Sequence, residues 1–382
     1  MQLAKQELLP WKPELKTEAD RISSAFSDDN IKNIEKELLS ISYDKFNKTV
    51  SGINKLYNTS FNRTDSPNKT IFQEGSSKLL DYSIVSDSKH IDDNEQQILL
   101  FIPSLINKPY IFDLSNKRSM INFFNKKGYK CLLVDWGNPS DTENSYNIDD
   151  YIKRLGRFLE EINRLFEKKI TLVGYCMGGI ISLATAQLYD QYIKNIVAIA
   201  TPWDFHSSDI QNIVLSPMIK KTFLDYLENN KVISGDFIHK IMYLTDPWSV
   251  HNKFSRISDL TDNNSDEYLS IIEREFWLHD NINITDKAAQ QIFVNWAINN
   301  EPILGKWYID DVKIDPSQLK VPLYMAISKT DRIVPPLCSY PLSLLVENTQ
   351  ITYPPNGHIG MVAGTTAERN FWFPLENYLN SS

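Results

Sequence analysis

Hydrophobic residues between positions 79 and 200 come in short runs that alternate with longer periodic segments. Short apolar runs lie at residues 98–102, 129–134, 170–173 and 196–200, and each predicts a buried strand. Residues 151–166 instead place apolar side chains at helical spacing, and Gly128 predicts the end of a helix over residues 119–125. Because buried strands joined by helices form right-handed crossovers, we predict a mainly parallel sheet with helices on both faces.

The pattern differs on both sides of this alternating region. Residues 1–75 are polar, with helical spacing around residues 31–39 followed by a loop rich in Asn, Ser and Thr. Residues 206–318 are rich in Trp, Tyr, Phe and Asn and lack a clean alternation of strands and helices. The later elements are predicted strands at 321–327 and 350–353 and a closing helix at 367–379. We therefore predict a partly helical N-terminal segment of residues 1–75, a core of residues 76–205 and 319–382, and an inserted cap subdomain of residues 206–318.

Composition and charge narrow the class of protein. The chain has 382 residues, of which 42% are hydrophobic and 12% aromatic, which is enough for a full hydrophobic core. Its net charge of -8, without a dense run of Lys and Arg, argues against a nucleic-acid partner. No stretch approaches the roughly 18 apolar residues of a membrane span, and residues 1–7 lack an apolar signal segment.

Three widely spaced cysteines, Cys131, Cys176 and Cys338, are an odd number and form no metal-binding or disulfide pattern. They fit a reducing compartment. We therefore expect a cytoplasmic protein that needs no metal.

The sequence Gly-Tyr-Cys-Met-Gly-Gly at residues 174–179 carries the strongest chemical signal. It directly follows the apolar run at 170–173 and leads into the apolar, helix-like residues 180–184. A G-x-C-x-G pattern between a strand and a helix is typical of the sharp turn that exposes a nucleophile in the α/β-hydrolase fold. We therefore predict an α/β-hydrolase fold in which Cys176 is the nucleophile, where most such turns carry a serine.

The acid and the base are expected in that order after the nucleophile, each in a loop that follows a late strand. Asp331 lies just after the predicted strand at 321–327, and His358 lies between two glycines after the strand at 350–353. The sequence therefore predicts a catalytic set of Cys176, Asp331 and His358.

Other residues compete for these roles. Asp135 and Asp204 each lie just past a predicted strand and remain alternative acids. His206 is the competitor of His358, although we expect it to be a solvated loop residue near the mouth of a pocket. Cys131 lies inside a predicted strand and is expected to be a buried apolar residue. Cys338 is expected to be incidental to the chemistry.

A thiol nucleophile constrains the reaction. A free Cys has a pKa of about 8.5, so little of it is ionised at neutral pH, and His358 is expected to take its proton while Asp331 orients the imidazole. The backbone N–H of Met177, at the start of the helix, is expected to supply one donor of an oxyanion hole, with a second donor among residues 104–107. Exchange of one thioester for another keeps the acyl group activated. The cysteine therefore favours an acyltransferase that uses thioester donors, provided that the cap excludes water.

Five motifs together resemble the poly(3-hydroxyalkanoate) synthases. They are residues 103–114, residues 134–139, the 174–179 turn, residues 201–205 and residues 357–360. The resemblance covers residue 79 to the C-terminus, and it is closest to the short, two-component synthases in which the catalytic subunit works with a second, non-catalytic subunit. The cap is similar only loosely, around residues 276–277 and 299–300.

This resemblance implies an enzyme that polymerises (R)-3-hydroxyacyl-CoA and releases CoA, with the growing polyester attached to Cys176 and no cofactor beyond the CoA thioester substrate. It also implies a homodimer whose cap covers the active site, a location at cytoplasmic polyester granules, and a further role for Asp331 in deprotonating the 3-hydroxyl of the incoming unit. Two alternatives remain open. They are a cysteine-type hydrolase or thioesterase that acts on hydroxyacyl esters or the polymer, and a non-catalytic granule or scaffold protein.

Overall fold

A computed structural model describes residue 21 and residues 28–83, 96–207, 217–245 and 247–381. The polar start of the chain at residues 1–7 and residues 208–216 of the predicted cap lie outside the described residues. The chain divides into two compact units. One contains residues 28–59 and 248–261, and the other contains the remaining described residues from 60 onward. The domain boundaries drawn from the sequence stay a prediction.

The larger unit is built on a sheet of eight strands. Six further strands form three two-stranded sheets. All strands in the described residues are β1 (Lys69–Glu74), β2 (Ser77–Asp81), β3 (Ile98–Ile102), β4 (Asp113–Ser115), β5 (Arg118–Ser119), β6 (Lys130–Asp135), β7 (Ile170–Tyr175), β8 (Ile193–Ile199), β9 (Val232–Ile233), β10 (Ile284–Thr285), β11 (Tyr308–Ile309), β12 (Val312–Lys313), β13 (Leu323–Ala326) and β14 (Thr349–Thr352). The order in the main sheet is β1-β2-β6-β3-β7-β8-β13-β14. From β6 onward all neighbours are parallel, whereas β1 pairs with β2 and β2 with β6 in antiparallel fashion. The predicted, mainly parallel sheet is confirmed.

The described helices belong to both units, and those of the larger unit connect or cover its strands. The helices are α1 (Asp28–Tyr57), α2 (Met120–Lys126), α3 (Ile148–Phe166), α4 (Met177–Leu188), α5 (Pro217–Asn229), α6 (Gly235–Thr245), α7 (Pro247–Asp259), α8 (Asp266–His279), α9 (Asp286–Ala289), α10 (Pro336–Leu345), α11 (Gly360–Ala363) and α12 (Phe373–Ser381). Two π-helical segments cover Gln290–Ile298 and Glu368–Trp372, and short 3-10 turns cover Pro109–Phe112, Asp141–Glu143, Asp190–Tyr192 and Pro316–Gln318. Side chains on Asn147 and Ser119 cap the starts of α3 and α2.

The sheet is buried on both faces. Alternate residues of β3 point to opposite sides, so that Leu100 belongs to one apolar cluster and Leu99 to the other. Helices α3 and α4 cover the first side, and α2, α11 and α12 cover the second. This explains why the strands appear as continuous apolar runs, since neither face meets water. Cys131 is fully buried, and burial raises the pKa of its thiol well above the usual range.

The N-terminal part contains the predicted helix and loop, with a longer helix than expected. The helix expected around residues 31–39 is part of α1, which continues to Tyr57, and the loop rich in Asn, Ser and Thr follows it at residues 58–68. Asn, Ser and Thr are only mildly unfavourable in helices, and apolar residues keep the helical spacing through this stretch. The sheet also begins earlier than residue 79. Strands β1 and β2 form a hairpin at Gly75, whose φ of 56° is a left-handed conformation that glycine adopts readily.

Candidate active site

Cys176 occupies the sharp turn between β7, which ends at Tyr175, and α4, which begins at Met177. Its φ is 55°, in a region that residues with side chains rarely adopt, and such strain is typical of functional positions. Its N–H donates to the carbonyl of Ile199 at 2.8 Å, which ties the turn to β8. The side chain of Cys176 is half-buried, in contrast to the other two cysteines, which are buried.

The glycines after Cys176 allow the turn to pack closely. A Cβ on Gly179 would overlap the hydroxyl of Thr201, and a Cβ on Gly178 would overlap the carbonyl of Ile102. The first turn of α4 therefore lies directly against the ends of β8 and β3. Ala200, next to Thr201, also has a positive φ of 49°. The backbone is thus strained on both neighbouring strands at the same edge of the sheet.

Asp331 and His358 meet at this edge because the parallel strands β13 and β14 both end there. Nδ1 of His358 lies 2.7 Å from Oδ2 of Asp331. The other carboxylate oxygen of Asp331 accepts the N–H groups of Ile333 and Val334, each at 2.8 Å. Both residues are buried. The carboxylate is therefore fixed by its own loop and holds the imidazole in one orientation.

The pKa of His358 reports its surroundings. Burial by itself lowers this pKa, but the negative charges of Asp331 and Cys176, and hydrogen bonds to both, outweigh burial and raise it to about 10. The imidazole is thus in contact with the predicted acid on one side and the predicted nucleophile on the other. The structure brings all three predicted residues together.

Tyr175 packs against the imidazole from the strand side. The two ring centres are 5.1 Å apart, with the planes tilted by 42°. Burial raises the pKa of the Tyr175 phenol well above its ordinary value, so the phenol stays neutral. Within the described part of the chain its hydroxyl has no hydrogen-bond partner. Tyr175 was not among the predicted site residues, although its place directly before Cys176 was a signal.

The competing residues have other partners. Oδ1 of Asp135 accepts the N–H of Gly137. Asp204 accepts from the N–H of His206 and from the side-chain amide of Asn300. Nε2 of His206 lies 3.1 Å from each of two carbonyl oxygens, those of Ala297 and Ile298. His206 therefore fastens a cap segment and is not merely solvated, as the sequence had suggested.

Asn300 completes this attachment, which we call the cap clasp (Asp204, His206 and Asn300). Its amide donates to Asp204 at 2.8 Å, and its amide oxygen accepts the N–H of Phe205 at 2.9 Å. Asn300 is buried with a φ of 54°, a left-handed conformation that Asn tolerates better than most residues. The clasp joins the loop after β8, which packs on the nucleophile turn, to the end of the π-helical segment Gln290–Ile298.

The loop after β3 forms a further wall. Its Pro103 carbonyl accepts the indole N–H of Trp136 at 3.1 Å. Farther along, the N–H of Lys108 donates to Asp280, and the carbonyl of Ile106 accepts from Ile282, so the loop is tied to a cap segment. Met177 is the first residue of α4, and the first N–H groups of a helix have no acceptor within it. The predicted second oxyanion donor in residues 104–107 stays a prediction.

A buried ion pair supports Trp136 from behind. Arg154 of α3 donates to Glu143 at 2.6 Å and to Ser77 at 2.8 Å, while Ser77 in turn donates to the carbonyl of Trp136. Burial opposes the charge of Glu143, but hydrogen bonds from Ser140, Ser76 and Arg154 lower its pKa to about 2. The sequence analysis missed this network, because nothing in the local pattern of α3 distinguishes Arg154 from a solvent-exposed residue.

The described residues contain neither a metal-binding cluster nor a helix suited to a membrane. No group of three or more His, Cys, Asp and Glu side chains is placed to hold a metal ion. None of the described helices combines the length and the apolar character that crossing a bilayer requires.

Residues 97–365 match the family model described as the alpha/beta hydrolase fold, which covers more than two thirds of the chain. The chain belongs to the alpha/beta hydrolase family. The chain also matches, over residues 41–124, the model described as the N-terminus of poly-beta-hydroxybutyrate polymerase (PhaC). Among solved structures, MenH from S. aureus aligns with a TM-score of 0.50 and 16% identity, over 80% of this chain and 98% of that one. That likeness supports the fold alone.

Several curated relatives of this chain carry the name poly(3-hydroxyalkanoate) polymerase subunit PhaC. The protein from Haloferax mediterranei is 27% identical, over 80% of this chain and 62% of its own length. The protein from Allochromatium vinosum is 26% identical, over 74% of this chain and 80% of its own. The protein from Cupriavidus necator is 27% identical over 79% of this chain, which spans about half of that relative, 52%. The resemblance to poly(3-hydroxyalkanoate) synthases is confirmed, while the two-component subtype stays a prediction.

Proposed function

We propose that this hydrolase-fold protein is an acyltransferase that polymerises (R)-3-hydroxyacyl-CoA into poly(3-hydroxyalkanoate) with release of CoA. The names of its relatives support this substrate class. The observation that carries the proposal is the meeting of a strained cysteine, Cys176, with the hydrogen-bonded pair of His358 and Asp331 at one edge of the sheet. A thiol at this turn suits thioester exchange, in which the acyl group keeps its activation.

In the first half-reaction, His358 takes the proton of the Cys176 thiol, and the thiolate attacks the thioester carbonyl carbon of the substrate. The bond from that carbon to the CoA sulfur breaks, and the CoA sulfur leaves as a thiol with the proton held by His358. The acyl group is then bound to Cys176 as a thioester. The high pKa of His358 supports this step, since the imidazole binds the proton firmly beside a negative sulfur.

In the second half-reaction, the 3-hydroxyl of an incoming (R)-3-hydroxyacyl-CoA gives its proton to His358 while its oxygen attacks the acyl carbon on Cys176. A carbon–oxygen ester bond forms, the carbon–sulfur bond breaks and the sulfur of Cys176 leaves as a thiolate beside the protonated His358. The chain, now one unit longer, is a CoA thioester that returns to Cys176 by the first half-reaction with release of CoA. We assign Asp331 to orienting His358. Its two carboxylate oxygens are both occupied, by His358 and by backbone N–H groups, so a direct role on the 3-hydroxyl would require one of these bonds to open.

Negative charge on the acyl oxygen is proposed to be stabilised by the N–H of Met177 and by a second donor from residues 104–107. Donors fixed before the reaction begins contribute most, because they need no reorganisation. The close packing of Gly178 on the end of β3 supports this assignment, since it places the loop after β3 against the start of α4. No cofactor is invoked, because the CoA thioester is itself the activated substrate.

One assay of the purified full-length protein tests the proposal. With (R)-3-hydroxybutyryl-CoA as substrate, released CoA is measured with a thiol reagent and the product is identified as polymer or free acid. We expect polymer from the parent protein and none from Cys176→Ala. Free acid without polymer would indicate the thioesterase alternative, and a Cys176→Ala variant equal to the parent would indicate a non-catalytic role.

Cys131→Ser serves as the control variant, because Cys131 is buried in the core and lies outside the site. We expect it to lower the free energy of unfolding and to leave the rate per folded molecule close to that of the parent. Equal loss of activity from both cysteine variants would contradict the site assignment.

The assembly and location are proposed on the same resemblance. We propose a homodimer that acts at polyester granules in the cytoplasm. If the chain is of the two-component type, it also requires a second, non-catalytic subunit. Purification without co-expressed proteins, followed by the CoA-release assay, tests the last point. Full polymer synthesis by the isolated chain would exclude an obligatory second subunit.

A further inference from the structure

Helix α1 carries a regular row of exposed apolar side chains, which we call the apolar seam. Its members are Leu39, Tyr43, Phe46, Val50, Ile53 and Tyr57. Their spacing alternates strictly between four and three residues, which is the heptad repeat of a two-stranded coiled coil. All six are 37% to 89% exposed. Single exposed apolar residues are ordinary, but a continuous row at this spacing indicates a surface that binds another helix.

A different face of α1 is already occupied within its own unit. A Cβ at Gly52 would overlap the carbonyl of Phe254 in α7, so the two helices are in close contact there. Nearby, Thr49 contacts His251 at 2.7 Å and Lys48 pairs with Asp259 at 2.8 Å. The apolar seam therefore lies on the side of α1 that α7 leaves open.

The order of large and small residues in the seam is symmetric. An antiparallel copy centred on position 48 pairs Leu39 with Tyr57, Tyr43 with Ile53, and Phe46 with Val50 of the second copy. Each of the resulting layers contains one aromatic and one aliphatic side chain, so the layers have similar volumes and can interdigitate. A parallel copy would instead stack two aromatic residues in three layers and two aliphatic residues in the others.

Charge does not oppose this pairing. The positions that flank the seam are Ser40, Asn47 and Asn54 on one side and Ser42, Thr49 and Leu56 on the other. None of them is charged, so identical helices can approach without repulsion between like charges, and no charge pattern selects a different partner. The absence of basic residues beside the seam also argues against an anionic lipid surface.

The area is sufficient for a stable contact. Aromatic side chains bury about 150–250 Å² each, and the seam contains three of them. Together with the three aliphatic side chains it offers on the order of 800 Å² per copy, which is about what one partner contributes to a standard interface.

We propose that α1 binds α1 of a second copy of this chain through the apolar seam, as an antiparallel coiled coil with a two-fold axis near position 48. With α7 beside each α1, the contact becomes a four-helix arrangement. The proposal does not depend on the catalytic function. It names the surface and the register of self-association, which the resemblance to a dimeric family does not provide.

Sedimentation equilibrium of the full-length protein and its variants tests the proposal. We expect the parent to be dimeric at micromolar concentration. Leu39→Glu and Phe46→Glu should each raise the dissociation constant by about tenfold or more, because a charge would be buried without a partner. Leu38→Glu is the matched control. Leu38 is 57% exposed against 70% for Leu39, but it lies outside the seam, so this variant should associate like the parent.

A double variant tests the register. In the antiparallel pairing, Phe46→Lys with Val50→Glu places each introduced lysine opposite an introduced glutamate, and the dimer lost in either single variant should be regained. A parallel pairing would place like charges together and give no recovery. Far-UV circular dichroism must show unchanged helix content in all variants.

Three results would overturn the proposal. They are a monomeric parent protein, equal weakening by Leu38→Glu and Leu39→Glu, and a dimer that persists in every seam variant. A monomeric parent would leave the seam to another occupant, such as residues 1–27 of the same chain or a different protein.

Discussion

The imidazole of His358 and the carboxylate of Asp331 form a buried hydrogen bond of 2.7 Å, although 27 residues separate them in the chain. The bond exists because β13 and β14 are adjacent and parallel, so the loops that follow them emerge side by side. The same edge receives Cys176 from β7. Three strands thus bring the proposed nucleophile, base and orienting acid together from distant parts of the sequence.

Asp331→Asn is expected to lower the rate of CoA release strongly. The amide can no longer stabilise a protonated imidazole or fix its orientation, and the corresponding change in a serine triad costs about 10⁴-fold. We expect a loss of about 10²-fold or more, measured in steady-state assays. Asp135→Asn is the control, since the carboxylate of Asp135 accepts the nearby N–H of Gly137, and the rate of this variant should stay within a few-fold of the parent. Comparable losses in the two variants would argue against Asp331.

The raised pKa of His358 predicts a pH dependence of stability. The folded protein holds this proton up to a pH of about 10, whereas the unfolded chain loses it near 6.5. More protons are bound in the folded state between these values, so the contribution of this group is complete below pH 6.5 and is lost as the pH rises toward 10. Urea unfolding of the parent and of His358→Gln across this range should show a steeper decline for the parent. Parallel curves would contradict the prediction.

Arg154→Met is expected to destabilise the protein by about 3–5 kcal/mol, because it leaves the buried carboxylate of Glu143 without its cation. Urea denaturation at neutral pH measures the loss. Arg164→Met is the matched control on the same helix. Arg164 pairs with Glu161 on the surface, where water screens the two charges, so we expect this variant to be about as stable as the parent. A small loss of stability in Arg154→Met would mean that water or a rearranged side chain stabilises the charge of Glu143 in place of Arg154.

The cap clasp can be tested at Asn300. Asn300→Ala removes two hydrogen bonds and places alanine at a positive φ, so we expect a loss of stability of about 1–3 kcal/mol together with a raised KM. Glycine adopts this positive φ without strain, so Asn300→Gly should recover part of the stability while KM stays high. The neighbouring exposed Asn299, changed to Ala, is the control. Unchanged KM in both Asn300 variants would limit the clasp to a structural role.

Much of the site could be predicted from the sequence because its signals are local. The turn around Cys176 needs glycines at fixed offsets between an apolar strand and an apolar helix, and these are visible as a pattern. His358 between two glycines and Asp331 just after a strand follow the chain order of this fold. The clasp and the ion pair of Arg154 and Glu143 join residues whose neighbours give no sign of the contact, and therefore escaped prediction.

The sequence by itself determined the alternation of buried strands and helices and the sharp turn that carries Cys176, since each depends on periodicity or on backbone conformation within a short stretch. Only the tertiary structure decided which carboxylate holds His358, that Asp204 and His206 belong to the cap clasp, and that Arg154 is buried. These depend on which strands lie side by side in the sheet, and adjacency in space is fixed by the packing of the whole core and not by any one segment.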